Sequence, residues 1–224
     1  MAGEQGASAY QADREALVEA VRALFTNGVM SSTGHGDVSH RIDEEHMLLT
    51  VPGRLRTLQA DDLAVVALDG QVVEGEIDSL KAEIADLHSE IYRLREDIRV
   101  IIHTHSPSVL AFAMANRVLP CRYEAMRFGQ PSEVPVVPWA RRGTPAWISG
   151  IVAVLADHPS THALILGNHG VLVFGADLAA TVTLSTVLEE AAAGELGADR
   201  LGGAVAIPLG AGAPASGGSP GAKP

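Results

Sequence analysis

The sequence predicts an α/β fold in which a central mixed or antiparallel β-sheet is flanked by helices. Two observations carry that expectation. Asp69-Gly70 separates the segments Leu63 to Leu68 and Gln71 to Val73, and such a dipeptide closes an antiparallel hairpin. Elsewhere, helix-period and strand-period segments interleave without strict βαβ alternation, which argues against an all-parallel sheet. At 224 residues the chain has the length of one domain with a substantial core.

The elements follow in order. Residues 1–10 read as frayed. Leu17, Val21, Leu24 and Phe25 have helical spacing, and Asn27-Gly28 stops that helix. A Gly/Ser-rich loop over 31–40 leads into a strand from Asp37 to Ile42. Met47 to Thr50 is a second strand, and Pro52-Gly53 turns the chain. After the hairpin, Ile84, Leu87, Ile91 and Leu94 share one face of a helix from Leu80 to Glu96. Val100 to His103 is a strand, and Pro107 to Asn116 a short helix with Ser106 as N-cap. Residues 117–138 are irregular apart from a strand at Val134 to Val137. Thr144 to Leu155 is a helix, Ala163 to Leu166 and Val171 to Phe174 are strands, and Leu178 to Glu195 is a long helix. From Gly202 onward Gly, Ala, Pro and Ser dominate, too little apolar surface to fold. The expected organisation is one domain over 1–201 and a disordered tail over 202–224.

Composition excludes several roles. The formal net charge of -11 disfavours nucleic acid and anionic membrane surfaces. One cysteine, Cys121, leaves no intrachain disulfide and fits a reducing compartment. No segment reaches the roughly eighteen apolar residues of a membrane span, and Met1 to Arg14 does not resemble a signal peptide. A cytoplasmic location is expected.

The chemistry is concentrated in histidines. His103-Thr104-His105 follows the apolar run Val100 to Ile102. In a strand, residues i and i+2 share a face, so two imidazoles leave one side together. His169 comes after a second apolar run, Ala163 to Leu166, and is followed by Gly170, which permits a tight backbone. Three histidines suit a divalent metal with an open coordination position. The competing reading is a set of hydrogen-bonded core histidines. His35 and His40 read as polar loop residues, and His46, His158 and His162 as surface. Arg141-Arg142 could meet an anionic substrate group or be an ordinary exposed pair.

Read together, the motifs resemble a known family. In order they are Gly36-Asp37-Val38-Ser39-His40-Arg41, Leu48-Leu49-Thr50-Val51-Pro52-Gly53, His88 with Ile91-Tyr92, His103-Thr104-His105-Ser106-Pro107, Gly143-Thr144, Asn168-His169-Gly170 and Leu188-Glu189. The chain is similar, over about residues 15–195, to the class II aldolase/adducin family. That resemblance implies a three-layer fold with helices on both faces of the sheet, a homotetramer with active sites between subunits, and zinc held by His103, His105 and His169. Manganese, iron and cobalt also suit such ligands. It implies a metal-dependent lyase that cleaves a hydroxy-carbonyl or hydroxy-acid substrate through a metal-stabilised enediolate. The same scaffold carries decarboxylases, epimerases, dehydratases, iron-dependent oxygenases and, in adducin heads, metal-free interaction modules.

Individual roles carry over with departures. Aldolases of the family place a metal-ligating, proton-abstracting glutamate four residues before the position of His88, where this chain has Ile84. Glu83, one residue back, is the acid expected as fourth ligand and base, although one residue is about 100° around a helix. The alternative is an ordinary surface acid. Tyr123 stands where the aldolases carry a catalytic tyrosine, and a simple packing residue is the competing reading. Thr33, Asp37, Ser39, Thr50 and Gly53 are expected to line the substrate pocket. Phosphate-binding members carry Asn at the position of Asp37 and two serines before the glutamate. Here Ser79 is followed by Leu80, Lys81 and Ala82. A carboxylate at position 37 would repel a phosphate dianion.

Overall fold

The computed structural model describes residues 10–50, 55–77, 82–130 and 133–208. Its centre is an eight-stranded sheet made of β1 (Gly36–Arg41), β2 (His46–Thr50), β3 (Leu63–Ala67), β4 (Val72–Glu74), β5 (Val100–Thr104), β6 (Val136–Val137), β7 (Ala163–Leu166) and β8 (Gly170–Gly175). The strand order is β4-β3-β2-β1-β5-β8-β7-β6. All neighbours are antiparallel except β6 and β7, which run parallel. The hairpin expected at Asp69-Gly70 joins β3 to β4, with Gly70 N–H bonded to Ala67 O at 2.8 Å.

Five α-helices cover the sheet among the described residues: α1 (Gln11–Thr26), α2 (Ala82–Leu94), α3 (Pro107–Ala115), α4 (Pro145–Asp157) and α5 (Leu178–Asp199). The pleat sorts the apolar side chains into two cores. Val100 and Ile102 of β5, Ala163 and Ile165 of β7 and Val171 and Val173 of β8 pack with α1, α3 and α5. Their alternating neighbours Ile101, Leu164, Leu166, Leu172 and Phe174 pack with Ile84, Leu87 and Ile91 of α2 and Trp147, Ile151 and Leu155 of α4. Three layers result, and the alternation decides which face each polar strand residue takes.

Most element boundaries lie within two residues of those expected. The strand expected over Val134 to Val137 is shorter, and Val134 forms only an isolated bridge to Leu119. Among the described residues three 3-10 turns, Leu55–Thr57, Ala60–Asp62 and Glu124–Phe128, carry no periodic signal long enough to read from sequence. His40 belongs to β1, not a loop. Residues 202–208 contain no helix or strand. Residues 1–9, the Pro52-Gly53 turn, Leu80 and residues 209–224 lie outside the described residues.

The cap of α3 differs from expectation. Ser106 spends its hydroxyl on Thr104 Oγ1 at 2.7 Å and caps no helix N–H. Instead Glu189 of α5 accepts from Ser108 N at 2.8 and 3.0 Å and from Val109 N at 3.1 Å. A carboxylate there satisfies orphan donors and opposes the positive helix end. Because α3 starts two residues after His105, this contact anchors the end of the strand that carries the histidines. Replacing Glu189 with Ala is expected to lower unfolding stability by about 1–2 kcal/mol. Urea denaturation checks this, and an unchanged midpoint would show that the contact contributes nothing.

Candidate metal centre

The pleat of β5 aims His103 toward the α2/α4 side, together with Ile101, while Val100, Ile102 and Thr104 face the other way. His105 continues that alternation just past the strand end. The β7–β8 turn brings in His169. Asn168 takes the left-handed conformation there (φ 54°). It is held by its N–H to Ala113 O at 2.8 Å and by Asn116 Nδ2 to its Oδ1 at 2.9 Å. Asparagine tolerates that region better than most side chains.

Gly170 acts differently from its sequence expectation. The unusual torsion falls on Asn168, and Gly170 matters for space. A Cβ at position 170 would lie 2.5 Å from Thr104 O, 2.7 Å from His105 Cδ2 and 3.2 Å from His103 Cε1. Only hydrogen lets β8 start this close to the rings.

The three imidazoles therefore converge. Ring centroids of His103, His105 and His169 are 4.8–5.2 Å apart, and one nitrogen from each lies within 4.8 Å of the others. His103 Nδ1 is 3.0 Å from Val171 O. A carbonyl only accepts, so Nδ1 carries the proton and Nε2 keeps its lone pair for the centre of the cluster. His105 Nε2 is buried without a hydrogen-bond partner. Burial lowers the His103 pKa. Burial first, then the neighbouring rings, pushes His105 down to about 4 and His169 to about 3. Neutral imidazole is the ligating form, and an orphaned buried nitrogen beside two others is what a cation satisfies. These residues fit a divalent metal.

The acid expected beside them lies elsewhere. Glu83 is not part of the histidine cluster. Its Oε1 accepts from Arg142 Nε at 3.0 Å. Ile84 turns inward instead and lines a narrow recess of about 10 Å³ with Asp37, Leu87, His103, Arg142, Trp147, Leu166, His169 and Leu172. The one-residue offset read from the sequence persists because Glu83 and Ile84 both sit in a regular α2.

The expected pocket residues divide. Asp37 is paired with His103 across β1 and β5 and lies on the same face. Ser39 is fully buried behind it, its hydroxyl between His88 Nδ1 at 2.8 Å and Tyr92 OH at 2.7 Å. Thr50 is also fully buried, and its Oγ1 accepts from Val38 N at 2.9 Å. Thr33 is exposed and pairs with Ser31 Oγ at 2.8 Å. Gly53 lies outside the described residues. Tyr123 is 42% exposed, with its hydroxyl 3.3 Å from Glu190 of α5, on the sheet side opposite the recess. The structure brings together Asp37 and the three histidines, and not Thr33, Thr50 or Tyr123 of the same chain.

Two residues named in the sequence stand near the site without a site role having been assigned to them. His35 sits in the loop before β1, with its ring 6.3 Å from that of His105. His88 is buried on α2, its Nε2 3.0 Å from Asp37 Oδ1. A helical i, i+4 pair, His88 and Tyr92, facing a strand i, i+2 pair, Asp37 and Ser39, was the available signal.

The depressed histidine pKa values set a pH dependence. Between about 6.5 and the folded values of about 4 and about 3, the unfolded chain binds more protons than the folded one. Stability therefore falls as pH drops through that window. The melting midpoint of metal-free protein is expected to fall between pH 7 and pH 5, less steeply in His169→Asn. Identical slopes for the two proteins would contradict the buried neutral triad.

Residues 15–196 match the family described as Class II Aldolase and Adducin N-terminal domain. A 5-deoxy-D-ribulose 1-phosphate aldolase of Bacillus thuringiensis is 28% identical over 181 residues, covering 80% of this chain and 82% of the relative. A 3-oxo-tetronate 4-phosphate decarboxylase of Haemophilus influenzae is 29% identical over 190 residues, covering 81% and 85%. The solved structure of an L-fuculose 1-phosphate aldolase superposes with a TM-score of 0.77 at 24% identity, covering 88% and 90%, and so shares the fold. With its sheet order, its converging histidines and a match across most of its length, this chain belongs to the class II aldolase and adducin family.

Proposed function

We propose that this protein is a metal-dependent lyase that breaks a carbon–carbon bond of a small hydroxy-carbonyl or hydroxy-acid substrate in the aldol sense. The observation supporting this reading is the convergence of three neutral imidazoles, two of which line a recess with Asp37 and Arg142. His103, His105 and His169 are the proposed ligands and zinc the proposed ion, with manganese, iron and cobalt as alternatives. A divalent cation bound there supplies a Lewis acid that polarises a carbonyl oxygen and offsets developing negative charge.

The chain's own residues do the rest. The apolar wall of Ile84, Leu87, Trp147, Leu166 and Leu172 excludes water on one side. Glu83 holds the Arg142 guanidinium at the rim by its Nε, which keeps a cation beside the recess. Tyr123 is turned away from its own recess and accessible. In the homotetramer we propose, its hydroxyl would serve a neighbouring chain's site. Among the described residues no helix is long and apolar enough to cross a membrane. We propose a cytoplasmic location and, from the net charge of -11, no nucleic-acid partner.

Decarboxylation is the second reading. It is favoured by Ile84 in the recess wall, with Glu83 outside the histidine cluster. Loss of carbon dioxide starts without removal of a proton by a helix carboxylate. The aldolase and decarboxylase relatives support carbon–carbon cleavage in common.

Elemental analysis combined with a cleavage screen of hydroxy-acids and ketoses, free and phosphorylated, tests the proposal. One divalent ion per chain is expected. Separate replacement of His103, His105 and His169 by Ala should each remove the ion and at least about 10³ of the turnover without unfolding the protein. Full metal occupancy in His169→Ala would sink the assignment.

A further inference from the structure

Behind the recess lies a buried polar chain that the ligand set leaves unexplained. It runs from Asp37 through His88 and Ser39 to Tyr92, and His88, Ser39 and Tyr92 have no exposed surface. The proton positions along it follow from counting donors. Tyr92 OH donates to Arg99 O at 3.2 Å, and a carbonyl can only accept. Tyr92 has one proton, so it accepts from Ser39 Oγ at 2.7 Å. Ser39 has then used its proton and accepts from His88 Nδ1 at 2.8 Å. His88 Nδ1 therefore carries hydrogen. Its other nitrogen, Nε2, stands 3.0 Å from Asp37 Oδ1, close but off the hydrogen-bond axis. A neutral His88 would set a bare nitrogen 3.0 Å from a carboxylate oxygen inside the protein. That is a costly arrangement without water. One extra proton between the two groups removes the repulsion, as an imidazolium beside a carboxylate.

Asp37 is also the only carboxylate lining the recess with His103 and His169 among the described residues. It is 5% exposed and reaches the recess from β1, beside His103 on β5. Arg142, a further lining residue, adds a second positive charge. Resting on the lyase reading, we propose that Asp37 is the catalytic group that moves the substrate proton, and that His88 is its positioning residue. The Asp37 carboxylate takes the hydroxyl proton of the carbon next to the breaking bond. The O–H electron pair becomes the new carbonyl π bond. The carbon–carbon pair passes to the carbon beside the existing carbonyl, and Asp37 returns the same proton to that carbon. Asp37 ends as it began. Throughout, His88 keeps its Nε2 proton toward Asp37 and prevents the carboxylate from rotating away from the recess.

Two measurements on the full-length, zinc-loaded protein test this. The first is nitrogen-15 NMR of the His88 ring. Both nitrogens should be protonated in the wild type, and only Nδ1 in Asp37→Asn, whose amide can donate to Nε2. The second is deuterium uptake from D₂O into the hydroxymethyl carbon of hydroxyacetone. Asp37→Asn should keep one zinc per chain and the same hydroxyacetone affinity while its exchange rate falls about 10²–10⁴-fold. Wild-type exchange in Asp37→Asn, or a singly protonated His88 in the wild type, would overturn the assignment while leaving the lyase reading intact. No exchange even in the wild type would overturn the lyase reading and this role with it.

Discussion

Three imidazoles can share one cation only if each presents a bare lone pair to the same point. That requirement shapes the sheet around the site. The pleat of β5 sets His103 and His105 on one face, and the antiparallel β7–β8 turn returns His169 to the same end. The turn can come that close only because Gly170 has no side chain to strike Thr104 O and the two rings. Val171 O then fixes the His103 tautomer by taking its Nδ1 proton. Burial adds the last condition by keeping the rings neutral at ordinary pH. Each layer of helices is needed for this, because an exposed strand end would let the same rings hydrate and protonate.

The scaffold and the reaction are separable. The histidines sit on β5, just past its end, and in the turn between β7 and β8. The other residues that line the recess come from α2, β1 and the loop before α4 as well as from the sheet. Ile84, Asp37 and Arg142 come from those elements. One scaffold can carry different chemistries on such a wall. Relatives named as an aldolase and as a decarboxylase on this fold fit that division. In this chain burial opposes a charge on Asp37, yet the His88 contact and the nearby His103 and Arg142 outweigh it and hold its carboxyl below the usual range.

Much of this was legible in the sequence, for definite reasons. Strand periodicity put His103 and His105 on one face, and the Asp69-Gly70 turn gave the antiparallel hairpin. Both are local properties of a few consecutive residues. What stayed hidden depends on partners far away in the chain. Glu189 caps α3 from about eighty residues downstream, which no capping motif encodes. The sequence left Glu83 poised between metal ligand and surface acid, and its pairing with Arg142 depends on where the loop before α4 passes. Ser39 and Thr50 looked like pocket hydroxyls, but β1–α2 and β1–β2 packing consumes both. Asp37 and His88 are individually ordinary. Their meaning appears only when a strand face and a helix face meet.

The account stands or falls on the coordination of the bound ion, which X-ray absorption at the zinc edge of the metal-loaded protein reads directly. It predicts three imidazole nitrogens at about 2.0–2.1 Å, with the outer-shell scattering of histidine rings and one or two light oxygen scatterers completing the shell. A shell of oxygen alone, or one dominated by sulfur from Cys121, would contradict it.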